Sequence, residues 1–242
     1  MNIIILHGFP AYSLDNYFLN KHFKEKGQNV IAPVMFVRNY TFSTENVLKD
    51  IEKILGERRV DVVIGISLGG LVAPYIASEY QKSKLILIST GVSLKTESFF
   101  FNLAVDLVKY KIGGWITPLV IKLPENMLLS LYRLGNPFKG VESKRSEYES
   151  DAKTNIRFIK SVGFDKIKEV VDFVKSTDNT NLLKTLKNKT IIFTGSNDVL
   201  MTKNNAMQLS KLIVNSKVYL SKGSHFNSFT PKDLPIIDSF IS

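Results

Sequence analysis

Three residues in this chain have the types and settings that nucleophilic catalysis needs: Ser67, Asp198 and His225. Ser67 stands in Gly65-Ile66-Ser67-Leu68-Gly69, after the apolar run Val60-Asp61-Val62-Val63-Ile64 and before Leu71-Val72-Ala73-Pro74-Tyr75-Ile76-Ala77. The run reads as a buried parallel strand, one very tight turn and a helix. A serine at such a turn is held in a strained backbone conformation, with its hydroxyl clear of the sheet. Neighbouring chain then crowds positions 65 and 69, so both must lack a bulky side chain, and Gly70 lets the helix lie close to the strand. The helix start puts unpaired N–H groups and the positive end of the dipole where an oxyanion would form. That is a nucleophile elbow. A bare Gly-x-Ser-x-Gly has a plainer reading, a glycine-rich turn whose serine caps a helix. The flanking strand and helix are the context the elbow requires.

The elements that must hold these residues follow from the rest of the pattern. Strands are expected at residues 2–6, 29–34, 60–66, 84–90, 189–194 and 217–220. Helices are expected at 14–26, ended by Gly27, and from a Ser43 or Thr44 cap to Leu55, ended by Gly56. Others follow the elbow, lie near 202–214, and start at Thr230-Pro231-Lys232-Asp233. Such alternation implies βαβ units and a doubly wound, mainly parallel sheet of about six strands. In a parallel sheet all carboxyl ends lie on one edge, so Ser67, Asp198 in Gly195-Ser196-Asn197-Asp198, and His225 in Gly223-Ser224-His225-Phe226 can converge there. The first strand runs into His7-Gly8-Phe9-Pro10, and the N–H of Phe9 is the natural second oxyanion donor beside that of Leu68. His22 reads as a helix-face residue with no chemistry.

The rhythm breaks between the fourth and fifth strands. From 92 to 187 no strand is evident, and the segment reads as a helical insertion, leaving 1–91 and 188–242 as the core domain. Its first helix, 98–108, is apolar around most of its circumference, and 112–131 is apolar but interrupted by Pro118, Lys122, Pro124, Glu125 and Asn126. That interruption excludes a membrane span. Residues 144–160 and 165–175 are helical in pattern, and Leu182-Leu183-x-x-Leu186 leads back to the sheet.

Composition narrows the function class. The 242 residues are 44% hydrophobic and 22% charged, as in an ordinary soluble globular protein. With no cysteine, disulfides, thiol catalysis and Cys-ligated metals are excluded, and the three histidines lack metal-ligand spacing. The net charge is +10, but 26 of the 32 basic residues are scattered lysines rather than clustered arginines. This argues for a solvated surface and against nucleic acid as partner. A strand begins at Asn2 with no signal-peptide pattern before it, so a cytoplasmic location is the expectation.

Together these features resemble the α/β-hydrolase superfamily over nearly the whole chain. The match comprises the His7-Gly8 strand end, the Gly65-Ile66-Ser67-Leu68-Gly69 elbow, a helical cap after the next strand, and the loops carrying Asp198 and His225. The resemblance implies Ser67 as nucleophile, His225 as base, Asp198 as its orienting acid, and backbone N–H groups of Phe9 and Leu68 as the oxyanion hole. Departures are equally visible. The sequence opens on the strand usually counted third, so a sheet without the first two edge strands of the family is the expectation. Ile66 replaces a histidine common in relatives, residues 34–42 lack the Asp-x-x-Gly-x-Gly loop, and Pro74 falls inside the elbow helix.

The implied activity is a carboxylesterase-like serine hydrolase acting on a small-molecule ester or thioester, with no cofactor and no metal. Acyl transfer, amide or peptide cleavage, carbon–carbon bond hydrolysis and a non-catalytic binding role are the alternatives on the same framework. Phe100, Trp115, Leu128 and Leu129 of the insertion are the candidate walls of an apolar acyl pocket. Contact with a lipid surface is a further expectation for this lid, and oligomeric state is left open.

Overall fold

The computed structural model describes residues 1–9, 18–37, 39–93, 118–135, 145–225 and 228–242. The expected helix at 98–108, with Phe100, and Trp115 lie outside the described residues. Six parallel strands, β1 (Asn2–Leu6), β2 (Asn29–Ile31), β3 (Val62–Ile66), β4 (Lys84–Ile88), β5 (Thr190–Gly195) and β6 (Ser216–Ser221), form one sheet in the order β2-β1-β3-β4-β5-β6. The central strands are unbroken apolar runs because both faces of the sheet are covered. Alternate residues divide between two cores: Ile4, Leu6, Val63, Leu85, Leu87 and Ile192 face one way, and Ile3, Ile5, Ile64, Ile86, Ile191 and Phe193 the other. The strand β2 stops at Ile31, short of the expected residue 34, where Pro33 has no N–H to give a ladder.

The first face carries α2 (Thr44–Leu55), α3 (Gly69–Glu79) and α8 (Lys203–Leu212); the second carries α1 (Phe18–Glu25) and α9 (Leu234–Ile241). Local chemistry sets the helix ends as read from sequence. Ser43 accepts the Asn46 N–H at 3.1 Å, and Gly56 closes α2 at φ +60°. The N–H of Thr230 donates to Asp233 at 2.8 Å ahead of α9. Pro74 stands inside α3, which the chain continues through to Glu79.

Between β4 and β5 the described residues hold no strand. Residues 118–122 are helical, followed by α4 (Glu125–Gly135), α5 (Arg145–Val162), α6 (Phe164–Ser176) and α7 (Thr180–Thr185). Helices α4 and α5 pack on each other through Leu129, Ala152 and Ile156. Two forked pairs tie them, Arg133 to Glu149 and Arg157 to Glu125. The last two helices behave differently. Val170 and Val174 of α6 and Leu183 of α7 belong to the same buried cluster as α3. Asn179 joins the two ends of the stretch, its N–H donating to the Val92 carbonyl at 3.0 Å and its amide to the Leu71 carbonyl at 2.9 Å.

Candidate active site

The elbow forms as its glycines require. Ser67 has φ +51°, a left-handed conformation that a side chain rarely adopts. A Cβ on Gly65 would lie 2.5 Å from the Ala73 Cβ, one on Gly69 2.2 Å from the Leu6 carbonyl oxygen, and one on Gly70 2.5 Å from Thr90. No side chain fits at any of the three. The serine N–H is pinned to the Ile88 carbonyl at 2.8 Å, and the helix opens with Gly70 N–H to the Ser67 carbonyl. The Leu68 N–H therefore lies ahead of the helical ladder.

Ser67, His225 and Asp198 meet at the sheet edge. Ser67 Oγ donates to His225 Nε2 at 2.9 Å, and His225 Nδ1 donates to Asp198 Oδ2 at 2.9 Å. The Asp198 side chain is fully buried and that of His225 is 10% exposed. Such a buried carboxylate needs acceptor sites filled. Its other oxygen takes N–H bonds from Leu200 at 2.9 Å and Met201 at 2.8 Å. The two loops are also locked to each other: Ser196 N–H donates to Ser221, Asn197 N–H to Gly223, and a Cβ on Gly195 would strike the Gly223 oxygen at 2.2 Å.

The β1 loop also closes on the serine. A Cβ on Gly8 would sit 3.2 Å from that of Ser67, so the residue before Phe9 abuts the elbow. His7, read from sequence only as part of a turn, has a defined job. The Met35 N–H donates to its Nε2 at 3.0 Å, which leaves the proton on Nδ1 to donate to the Gly8 carbonyl at 2.6 Å. That carbonyl belongs to the same peptide as the Phe9 N–H. Burial holds the His7 pKa down at about 4, against the backbone bond that favours the charged form.

Other sequence candidates are placed as follows. Leu129 is buried against Ala152 and Ile156, with Leu128 beside it, so the burial of this pair is accounted for by packing between α4 and α5. His22 bonds Asp238 of α9 at 2.9 Å, a structural pair on the helix face. Sequence reasoning missed the His7 ring contacts and two buried hydroxyls near the histidine loop, Ser89 and Ser228. The only sequence signal for Ser89 was its place at a strand end. Among the described residues, no cluster of His, Asp and Glu could hold a metal ion, and no helix is long and apolar enough to cross a membrane.

A family model described as an uncharacterised protein family, UPF0227, matches residues 2–96, from β1 to just past β4. No curated protein matches the sequence. Solved structures match throughout. A thermophilic esterase from Thermogutta terrifontis superposes with a TM-score of 0.67 at 18% identity, covering 100% of this chain and 89% of that one. A hydrolase from Oleispira antarctica gives 0.71 at 18%, covering 99% and 90%. A meta-cleavage product hydrolase from Pseudomonas fluorescens gives 0.63 at 17%, covering 99% and 87%. With six parallel strands in this order and helices on both faces, the chain has the α/β-hydrolase fold.

Proposed function

We propose that this protein is a serine hydrolase that cleaves an ester or thioester of a small or medium apolar acyl group through an acyl-enzyme. The observation that carries the reading is the unbroken hydrogen-bonded line from Ser67 Oγ through His225 to Asp198. In the forward step the Ser67 proton passes to His225 Nε2 as Oγ bonds the carbonyl carbon. Asp198 holds the ring and balances the imidazolium charge. The N–H groups of Phe9 and Leu68 receive the oxyanion, and His7 supports this by latching the carbonyl of the peptide that carries the Phe9 N–H. His225 then protonates the leaving oxygen or sulfur. Water repeats the sequence on the acyl-enzyme and releases the acid. The cycle requires neither a metal nor an organic cofactor.

Residues 92–187 serve in this reading as the cap, and a cytoplasmic setting suits a small-molecule substrate. Phe100, Trp115 and Leu128 remain proposed as pocket residues, with Leu129 supporting them from the α4–α5 contact. The test is a panel of p-nitrophenyl esters from acetate to laurate, acyl thioesters and aminoacyl amides, with Ser67→Ala as control. Each buried methylene contributes about 0.8 kcal/mol, so kcat/KM should rise by up to about 15-fold per added carbon pair until the pocket is full. Phe100→Ala and Trp115→Ala should flatten that rise. Absence of turnover on every ester and thioester, with no labelling of Ser67 by a fluorophosphonate, would overturn the hydrolase reading.

A further inference from the structure

We propose that Ser89 and Ser228 are positioning residues that hold the backbone of the His225 loop, and so set the imidazole between Ser67 and Asp198. The inference rests on the hydrolase reading and adds two residues to it. The need for such a hold comes from the strand order. Ser67 follows β3 and His225 follows β6, which stand three strand spacings apart with β4 and β5 between them. At about 4.8 Å per spacing the histidine must work roughly 14 Å to the side of its own strand. Its loop therefore crosses the ends of β5 and β4 before the ring reaches the serine. Next to β5 it is held by a side-chain bond, Nδ1 to Asp198. Over β4 it is held by its backbone.

That second hold is built from buried hydroxyls. Ser89, just past the end of β4, and Ser228, three residues after the histidine, are both almost fully buried. Their hydroxyls hydrogen-bond each other, and each also lies within reach of the His225 carbonyl oxygen, Ser89 at 3.3 Å and Ser228 at 3.4 Å. Two protons are available for three contacts. Both protons are used when one hydroxyl donates to the other and the second donates to the carbonyl, and the geometry allows this relay in either order.

The backbone at Ser89 points the same way. Its φ is +48°, and among the described residues the one other non-glycine with positive φ is Ser67. Glycine would occupy that conformation without strain. What glycine would lack is the hydroxyl. The Ser89 N–H still donates to the Phe193 carbonyl at 2.8 Å, so the turn is tied to β5 while its side chain meets the histidine loop.

The experiment compares Ser89→Gly, Ser228→Ala and the double variant with the parent enzyme. Ser89→Gly removes the hydroxyl while relaxing the backbone, so folding is not at risk from strain. The rates of Ser67 labelling by a fluorophosphonate and kcat should each fall about 10-fold in either single variant, with KM within about two-fold, as expected for a shifted catalytic group. The double variant should lose no more than about two-fold beyond the singles, because both hydroxyls hold one carbonyl. The downfield Nδ1 proton resonance of His225 should broaden or shift in each variant and stay in place in the surface variant Arg157→Ala. Labelling and kcat within two-fold of the parent, or losses that only track the folded fraction, would overturn the proposal. A parent that is neither labelled nor active would instead count against the hydrolase reading, and the His225 resonance would then still decide the role of the two serines.

Discussion

The strand-end layer and the α4–α5 pair are built on opposite principles. Around the elbow, backbone meets backbone with no room to spare: added carbons at Gly65, Gly69, Gly70 and Gly195 would approach neighbours to between 2.2 and 2.5 Å. Ile3 to Leu6 of the adjoining strand are fully buried. The α4–α5 pair buries Leu129, Ala152 and Ile156, while Met127, Leu131 and Leu134 of the same helix are exposed. Forked arginine–carboxylate pairs on the surface complete the contact. The first region over-determines where Ser67, Asp198 and His225 stand. The second places none of those three side chains. Under the proposed function, in which the insertion selects the substrate, chemistry and substrate choice would vary independently, as expected of sites grafted on a shared fold.

The contrast can be broken most sharply at the serine. Ser67→Ala and His225→Ala should each lower turnover by about 10⁴-fold or more, and the double variant should be little worse, because the pair acts as one unit. Folding, followed by circular dichroism, should be intact. More than a tenth of the parent activity in Ser67→Ala would remove the nucleophile assignment.

Next in size is the packing of the elbow. Gly69→Ala forces a methyl group onto the Leu6 carbonyl and should cost about 3 kcal/mol or more, at the upper end of what overpacking does. A denaturant midpoint equal to that of the parent would show that the elbow is looser than its distances imply.

His7 gives an effect of somewhat smaller size that depends on pH. Its folded pKa of about 4 lies below the ordinary 6.5, so between those values the unfolded chain takes up a proton that the folded chain refuses. Stability present above pH 6.5 should therefore fall as the pH drops, by on the order of 3 kcal/mol by the time it passes 4. His7→Gln keeps a donor for Gly8 and an acceptor for Met35 but does not titrate, so the difference between its midpoints at pH 7.5 and 4.5 should shrink. An identical pH dependence in the two proteins would clear His7 of this role.

The smallest effect belongs to the other region. Arg157→Ala removes a forked pair that lies in solvent, and it should leave the unfolding midpoint within about 2 °C, with even that shift shrinking in 1 M salt. A large loss would mean that the α4–α5 pair is held as rigidly as the sheet.

Local patterns carried far in this chain. Glycines 65, 69 and 70 after an apolar β-branched run specify an elbow, because only a tight turn under a close-packed helix demands them together. The same logic located Asp198 and His225, each just beyond a strand of matching type. Cap residues such as Ser43 and Gly56 marked helix ends, since the unpaired backbone groups there are satisfied within a few residues. The return of α6 and α7 to the main core was less legible. Their apolar spacing says that one face is buried, without saying against what.

The sequence by itself determined the alternation of strands and helices, the strained serine and the set of groups gathered at one sheet edge, because those depend on neighbours within a few positions. Only the tertiary structure decided that the strands order as β2-β1-β3-β4-β5-β6, that His7 bonds the Met35 N–H and the Gly8 carbonyl, and that Ser89 meets the His225 carbonyl across 136 residues of chain. The Met35 and Ser89 contacts each join a side chain to a backbone group far away in sequence. Such contacts are set by which strands become neighbours, a choice made by the burial of whole faces and not by any local pattern of residues.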